Sequence, residues 1–205
     1  MTKNLSMEKQ LENTIRNANM KIHKMREFLK YMSISTKRKL FNCHIMSTFR
    51  YGIAQYAGET IHTKTRLHNS IMRCMRVFRG FNCTRNSNKD VLTDMGCEDP
   101  RQIVLKEAAK YVHRIVTLEE PSSIFKLIRK PTWRKEGDIT IRHFPLSAKT
   151  KRNMLLYGVK LYNTLPVELR TLTPKRMKRD LLKWQLYDLP VNPQVPITKA
   201  KKIRQ

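Results

Sequence analysis

The feature that most constrains this chain is a run of apolar residues at Leu11, Ile15, Ala18, Ile22, Met25, Leu29 and Met32. Steps alternating between four and three put all seven side chains on one stripe of an α-helix. The spacing predicts a helix over residues 6–32, with Lys21, Lys24 and Lys30 off the stripe. An uncovered seam of that length is sticky, so it is also a candidate surface for a protein partner.

The pattern continues helical. "SIST" (33–36) reads as a break, with Ser35 or Thr36 capping a second helix over 37–50 whose apolar side is Phe41, Ile45, Thr48 and Phe49. "RYG" (50–52) ends or turns it, and the short apolar "IAQYAG" follows. A third helix is expected from His62 to Arg79, burying Leu67, Ile71, Cys74 and Phe78 and stopped by Gly80. After the polar loop "FNCTRNSN", the segment "KDVLTDM" reads as a short helix that stops at Gly96. Asp99 and Pro100 then open a fifth helix with Val104, Ala108, Tyr111, Ile115 and Leu118 inward. Pro121 ends it, and Ser122 or Ser123 starts "SIFKLIRK". Residues 131–146 show no sustained period; "DITIRHF" could form a strand, but the region reads as a linker. "LTPKRMKRDLLKWQLY" (172–187) reads as a helix capped by Thr173, with Met177, Leu181 and Trp184 facing in. The fold is therefore expected to be mainly α. Its divisions are a helical region 6–128, a linker 129–148, a basic C-terminal helical unit 149–188 and a disordered basic tail 189–205.

Charge narrows the choice of partners. The chain carries 42 Lys and Arg against 16 Asp and Glu, a net +26. Such self-repulsion is relieved by a polyanion, and nucleic acid is the commonest one. From Arg129 to Gln205 there are 19 Lys and Arg against 5 acids, a net +14 in 77 residues. More than half of the excess charge thus sits in well under half of the chain. The N-terminus lacks the apolar run of a signal peptide, and no stretch approaches the roughly 18 apolar residues that span a bilayer. An intracellular protein with reduced thiols is expected, in the nucleus or cytoplasm, with no membrane partner.

The composition offers little for catalysis. The six aspartates include no adjacent pair and no Asp-x-Asp, so no carboxylate cluster for metal-ion chemistry is evident. Asp90 and Asp94 lie one turn apart and fit a helix N-terminus better than a metal. Cys74, Cys83 and Cys97 are too irregularly spaced for zinc, and Cys43 and His44 point to different faces. Buried structural thiols are expected instead. Phosphate-binding loops and nucleophile motifs are missing from the sequence, and no cofactor is expected.

Basic stripes remain as the candidate site. Arg66, Arg73 and Arg76 share the side of the third helix away from its apolar stripe, with Arg79 at its end. Arginine forks onto phosphate oxygens, although for any single one of these a solvated surface position is the commoner role. Lys149, Lys151 and Arg152, then Lys160, then Lys175, Arg176, Lys178, Arg179 and Lys183 make denser clusters. Trp133, Tyr157, Tyr162 and Trp184 are possible base-stacking rings, with Tyr162 and Trp184 better suited to the core.

The segment "KTKRNMLLYGVKLYNTLPVELRTLTPKRMKRDLLKWQL" resembles the C-terminal end of reverse transcriptases from non-LTR (LINE-type, jockey-like) retrotransposons. The matched positions are Lys149 to Arg152, Tyr157, Gly158, Lys160, Leu161, Tyr162, Asn163, Leu165, Pro166, Glu168, Arg170 and the helix through Leu186. Upstream, the long helix, Tyr51 with Gly52, and the helix carrying Arg73, Arg76 and Gly80 are similar to that family's order, with Tyr56 where a tryptophan is common. The likeness covers about residues 10–187; each motif is degenerate, and their order and spacing carry the specificity. It implies a thumb-like helical bundle that grips RNA or an RNA/DNA duplex through phosphate contacts. It also implies that the catalytic palm, with its metal-binding aspartates, is missing, so that this chain alone is not a polymerase. Two other readings compete: a basic helical adaptor using the 11–32 seam, and a helix-turn-helix built from the second and third helices. The roughly dozen residues between those helices exceed the usual turn of about 3–4 residues.

Within "LLYGVKLYNTLPVELR" (155–170), Gly158 is expected to allow a close backbone approach. Leu161, Tyr162 and Leu165 should pack inward, and Pro166 should end the turn before the basic helix.

Overall fold

A computed structural model describes residues 7–80, 87–129, 138–141, 154–189 and 198–203. Over these residues the protein is mainly α. The chain divides into two compact units, Met1–Ile53 with Thr60–Ile103, and Ala54–Glu59 with Val104–Gln205. The division falls inside a helix, whereas the sequence suggested boundaries in the irregular stretches at 129 and 149.

The first unit is organised by α1 (Glu8–Leu29). Its predicted stripe holds: Leu11, Ala18, Ile22 and Leu29 are buried, and Ile15, Met25 and Met32 are half-buried. The cover comes from within the unit, from α3 (Ser47–Arg50), the π-turn before it, and α4 (Ile61–Arg79). The seam is therefore core, and the surface proposed for an adaptor is already occupied. Burial of each large apolar side chain contributes about 1.5–3 kcal/mol relative to exposure.

Helix α2 (Ile34–Leu40) starts earlier than the sequence suggested, because Ser33 rather than Ser35 or Thr36 is its cap. Ser33 keeps extended dihedrals, and its Oγ accepts the Thr36 N–H at 3.3 Å. Phe41–Met46 then widens into a π-helix before α3. The wider turn lets Phe41, Ile45 and Met46 all be buried, together with Phe49 on α3, while Thr48 is only half-buried. Gly52, at φ +71°, reverses the chain after α3. Tyr51 beside it is 82% exposed, while Tyr56, in the 3-10 helix Ile53–Gly58, is buried.

Thr60 caps α4, with its Oγ1 accepting the Thr63 N–H at 3.2 Å. Leu67, Ile71, Cys74 and Phe78 are buried as their spacing requires, and Phe41 meets Phe78 edge-on at 5.4 Å. Burial pushes the Cys74 thiol up to about 12, as expected of a structural cysteine. Cys97 is half-buried, but Cys43 is exposed, contrary to the expectation of a buried thiol; Cys83 lies outside the described residues. Helix α5 (Asn88–Met95) opens on a capping box between Ser87 and Asp90 and closes on left-handed Gly96. Asp90 thus serves a helix N-terminus.

Helix α6 (Pro100–Leu118) begins where Asp99 Oδ1 accepts the Arg101 N–H at 2.7 Å. In the second unit its middle is buried more broadly than one face, through Leu105, Lys106, Ala108, Ala109, Val112 and His113. Tyr111 is only half-buried and Leu118 is exposed, so the expected inward face is too narrow in the middle and too long at the end. After α7 (Ser122–Phe125), β1 (Ile128–Arg129) pairs antiparallel with β2 (Thr140–Ile141), Ile128 opposite Ile141. The region read as a linker therefore holds a small ladder, because β-branched "ITI" completes hydrogen bonds that a free strand would lack.

Helix α8 (Met154–Asn163) presents Gly158 to Val112 of α6. A Cβ on Gly158 would lie 2.8 Å from Val112 Cγ2, so only glycine permits this approach. Leu161, Tyr162 and Leu165 are buried as expected. Helix α9 (Val167–Arg170) follows Pro166, and α10 (Pro174–Asp180) follows Thr173, whose side chain makes no capping bond. The predicted helix over 172–187 ends at Asp180. One 3-10 turn, Leu181–Lys183, leads to β3 (Trp184–Gln185), which pairs antiparallel with β4 (Lys201–Lys202). Met177 and Leu181 are buried, but Trp184 is half-buried in the strand. Part of the tail expected to be disordered is thus ordered by backbone bonds, among them the Ile203 N–H to Lys183 O at 2.7 Å.

Candidate nucleic-acid interface

The two basic helices use their charges differently. On α4, Arg66 donates through both terminal nitrogens to Glu12 Oε1 at 3.2 Å. Arg76 reaches Asn88, and the half-buried Arg79 pairs with Asp94. The Asp94 carbonyl also accepts from Arg38 Nε at 2.5 Å, so one residue ties α5 to both α2 and α4. Arg73 is exposed and makes no ion pair among the described residues. Around it, the outer surface of α4 carries an open depression lined by His62, Thr65, Arg66, Asn69, Ser70 and Arg73. Arg66 is committed to Glu12, so Arg73 is the guanidinium of this lining left for an anion, beside neutral donors.

On α10 the separation is cleaner. Met177 is buried, and Lys175, Arg176, Lys178 and Arg179 are all exposed. At about 100° per residue, these four fall within an arc of about 160° centred opposite Met177. Among the described residues no carboxylate lies within ion-pair distance of Lys175, Arg176 or Lys178. Arg179 and Lys183 approach Asp180 only loosely, at 3.8 and 3.9 Å. Lys160 is exposed on α8, facing away from its buried residues. Lys149, Lys151 and Arg152 lie outside the described residues, as does Trp133.

The aromatic block is tied to the segment that leads into α10. His113 Nε2 hydrogen-bonds to the Leu172 carbonyl at 2.9 Å, which assigns its proton to that nitrogen, while Nδ1 faces Tyr162 Oη at 3.4 Å. Burial, the largest cause, lowers the His113 pKa despite that carbonyl bond. Burial likewise pushes the Tyr162 phenol up to about 12. Tyr157 is raised further, by burial first and then by Asp188, to which its hydroxyl donates. Tyr157 and Tyr162 are therefore internal ties.

Three long-range ties were not legible in the sequence, although the resemblance marks Asn163 and Arg170. Asn163 clips Ile139 in both directions, accepting its N–H at 3.1 Å and donating to its carbonyl at 2.9 Å. Arg170, one of the resemblance positions, pairs with Asp138 at 2.8 Å with little exposure on either side. Lys106 is buried and donates to the Leu182 carbonyl at 3.2 Å. No local pattern could announce these, since each partner lies more than twenty residues away. The tail adds exposed Lys201 and Lys202 beside the Lys183–Gln185 backbone, a placement hinted at only by the basic run "KAKK".

Among the described residues, no group of three or more His, Cys, Asp or Glu could hold a metal ion. No described helix is long and apolar enough to cross a membrane. No protein-family model, curated protein or solved structure matches the chain.

Proposed function

We propose that this protein binds RNA or an RNA/DNA duplex through phosphate contacts, and that it is not a polymerase by itself. In this reading it corresponds to the thumb-side C-terminal region of a non-LTR retrotransposon reverse transcriptase, whose palm would be its natural partner. The observation that carries the binding assignment is the exposed arc of Lys175, Arg176, Lys178 and Arg179 on α10, held in place by buried Met177. Four cations with scarcely a local acid gain most by displacing condensed counterions from a phosphate backbone. The net +26 of the whole chain works in the same direction. The family assignment rests on the order and spacing of the motifs in residues 10–187.

A duplex-binding titration over a range of salt concentrations tests the reading. Log affinity should fall linearly with log salt, and each phosphate contact removed should reduce the slope by about 0.9. Absence of binding at low salt overturns the assignment. Primer extension by the isolated chain would overturn its non-catalytic part.

A further inference from the structure

We propose that the outer face of α1 is a binding site for an unpaired nucleic-acid strand, with Phe28 and Tyr31 as base-stacking platforms. The inner stripe of α1 is consumed by the core, but a second stripe runs along its far side. Asn13, Asn17, Met20, Lys24, Phe28 and Tyr31 follow one another in steps of three or four and all are exposed. At about 100° per residue they lie within an arc of about 80°. Tyr31 falls just past the helix end, yet Lys30 keeps helical dihedrals and the Tyr31 N–H returns to the Phe28 carbonyl. The stripe is therefore continuous.

Its composition selects the occupant. Phe28 is 64% exposed and Tyr31 89%, whereas Tyr162 is buried and Tyr157 is tied to Asp188. Glu8 and Glu12 lie well off the stripe, Glu12 being held by Arg66; Glu27 stands at its edge, about 20° beyond Met20, and there Lys30 pairs with it. Lys24 stands one turn before Phe28, placed to meet a phosphate beside a stacked base. The two asparagines extend the track with donors and acceptors for base edges. From Asn13 to Tyr31 the track is about 27 Å long at 1.5 Å per residue. That is the length of about eight stacked nucleotides at 3.4 Å each.

A duplex hides its base faces, so two protruding rings favour a single strand, for which stacking on aromatic side chains is the common sequence-tolerant mode. A protein partner fits less well, because burying this stripe would place Lys24 at the centre of the interface, where lysine is depleted. The site shares its ligand class with the proposed function but does not use the α10 face.

The test compares a labelled, unstructured single-stranded 12-mer RNA with a duplex of the same length. Phe28→Ala with Tyr31→Ala should weaken single-strand binding at least about tenfold and leave duplex binding within about twofold. Phe28→Tyr with Tyr31→Phe should retain both. Because both side chains are exposed, the variants should keep the wild-type circular dichroism and melting. Single-strand binding that ignores ring removal overturns the site, as does an equal loss on the duplex. Sedimentation showing that the rings are instead needed to hold two copies of the chain together overturns it as well. The two proposals fail separately. If the wild type binds neither oligonucleotide, the functional reading itself is lost; if it binds both and the ring variants change nothing, only the α1 site is.

Discussion

Helices α4 and α10 read alike in the sequence, as arginine- and lysine-rich faces opposite apolar positions, yet they are differently employed. On α4 three of the four arginines are committed to Glu12, Asn88 and Asp94, so the basic face also fastens α1 and α5. On α10 Lys175, Arg176 and Lys178 have no such partner among the described residues, and the second unit is fastened instead by Arg170, Asn163 and the Gly158 approach. What separates the two cases is the supply of nearby acids and amides. A guanidinium beside a carboxylate becomes part of the fold; one with only solvent around it keeps its charge for a ligand.

The sharpest way to break this contrast is to replace Lys175, Arg176, Lys178 and Arg179 together with glutamine. Duplex affinity at low salt should drop more than about tenfold, and the log–log salt slope should fall by about three to four. The melting temperature should stay put; a large drop would mean that α10 is structural after all. Next in size, Gly158→Ala should destabilise the second unit by about 1–3 kcal/mol, since the new methyl overlaps Val112. Denaturant unfolding measures it, and an unchanged midpoint would show that the approach is not tight.

Arg79→Ala and Arg73→Ala form a matched pair. Loss of the half-buried Asp94 partner should cost about 1 kcal/mol of stability with little change in duplex affinity. Removal of Arg73 should do the reverse, lowering affinity a few-fold with stability within about 0.5 kcal/mol. Equal effects from both would erase the distinction between fastening and binding arginines.

The gentlest effect concerns pH. His113 has a lowered folded-state pKa, so its neutral form fits the fold and the unfolded chain binds the proton more readily. Its contribution is complete above the unfolded value of about 6.5 and diminishes as pH falls below it, towards the folded value. Chemical denaturation at pH 7.5 and 5.5 should show this loss. His113→Gln should flatten it, whereas a slope unchanged by the substitution would place the titrating group elsewhere.

Much of the helical framework was legible from local chemistry. The 4–3 stepping of Leu11 to Leu29, the stripe from Leu67 to Phe78, the Gly80 and Gly96 stops and the Asp99–Pro100 start all express constraints within a few residues. Predicted features failed where distant chain intervened. Trp184 left the expected helix because Lys202 arrives opposite it, and "ITI" gained a partner in Ile128. The candidate site divided in the same way: the bases were visible in the sequence, but which had acids beside them was not. Tyr162 is buried, as its spacing suggested, whereas nothing local in the sequence singled out Phe28, which stands 64% exposed.

By itself, then, the sequence determined most of the helices, the Gly80 and Gly96 stops, the Asp99 cap and the surplus of positive charge, because periodicity, local stops and charge are properties of near neighbours. Tertiary structure alone decided that the 11–32 seam is core and that Arg79 is bound while Lys178 is not. It also decided that the unclaimed rings stand on the back of α1. Those outcomes depend on which residues meet across long separations, and close packing with limited acidic partners allows each side chain only one such role.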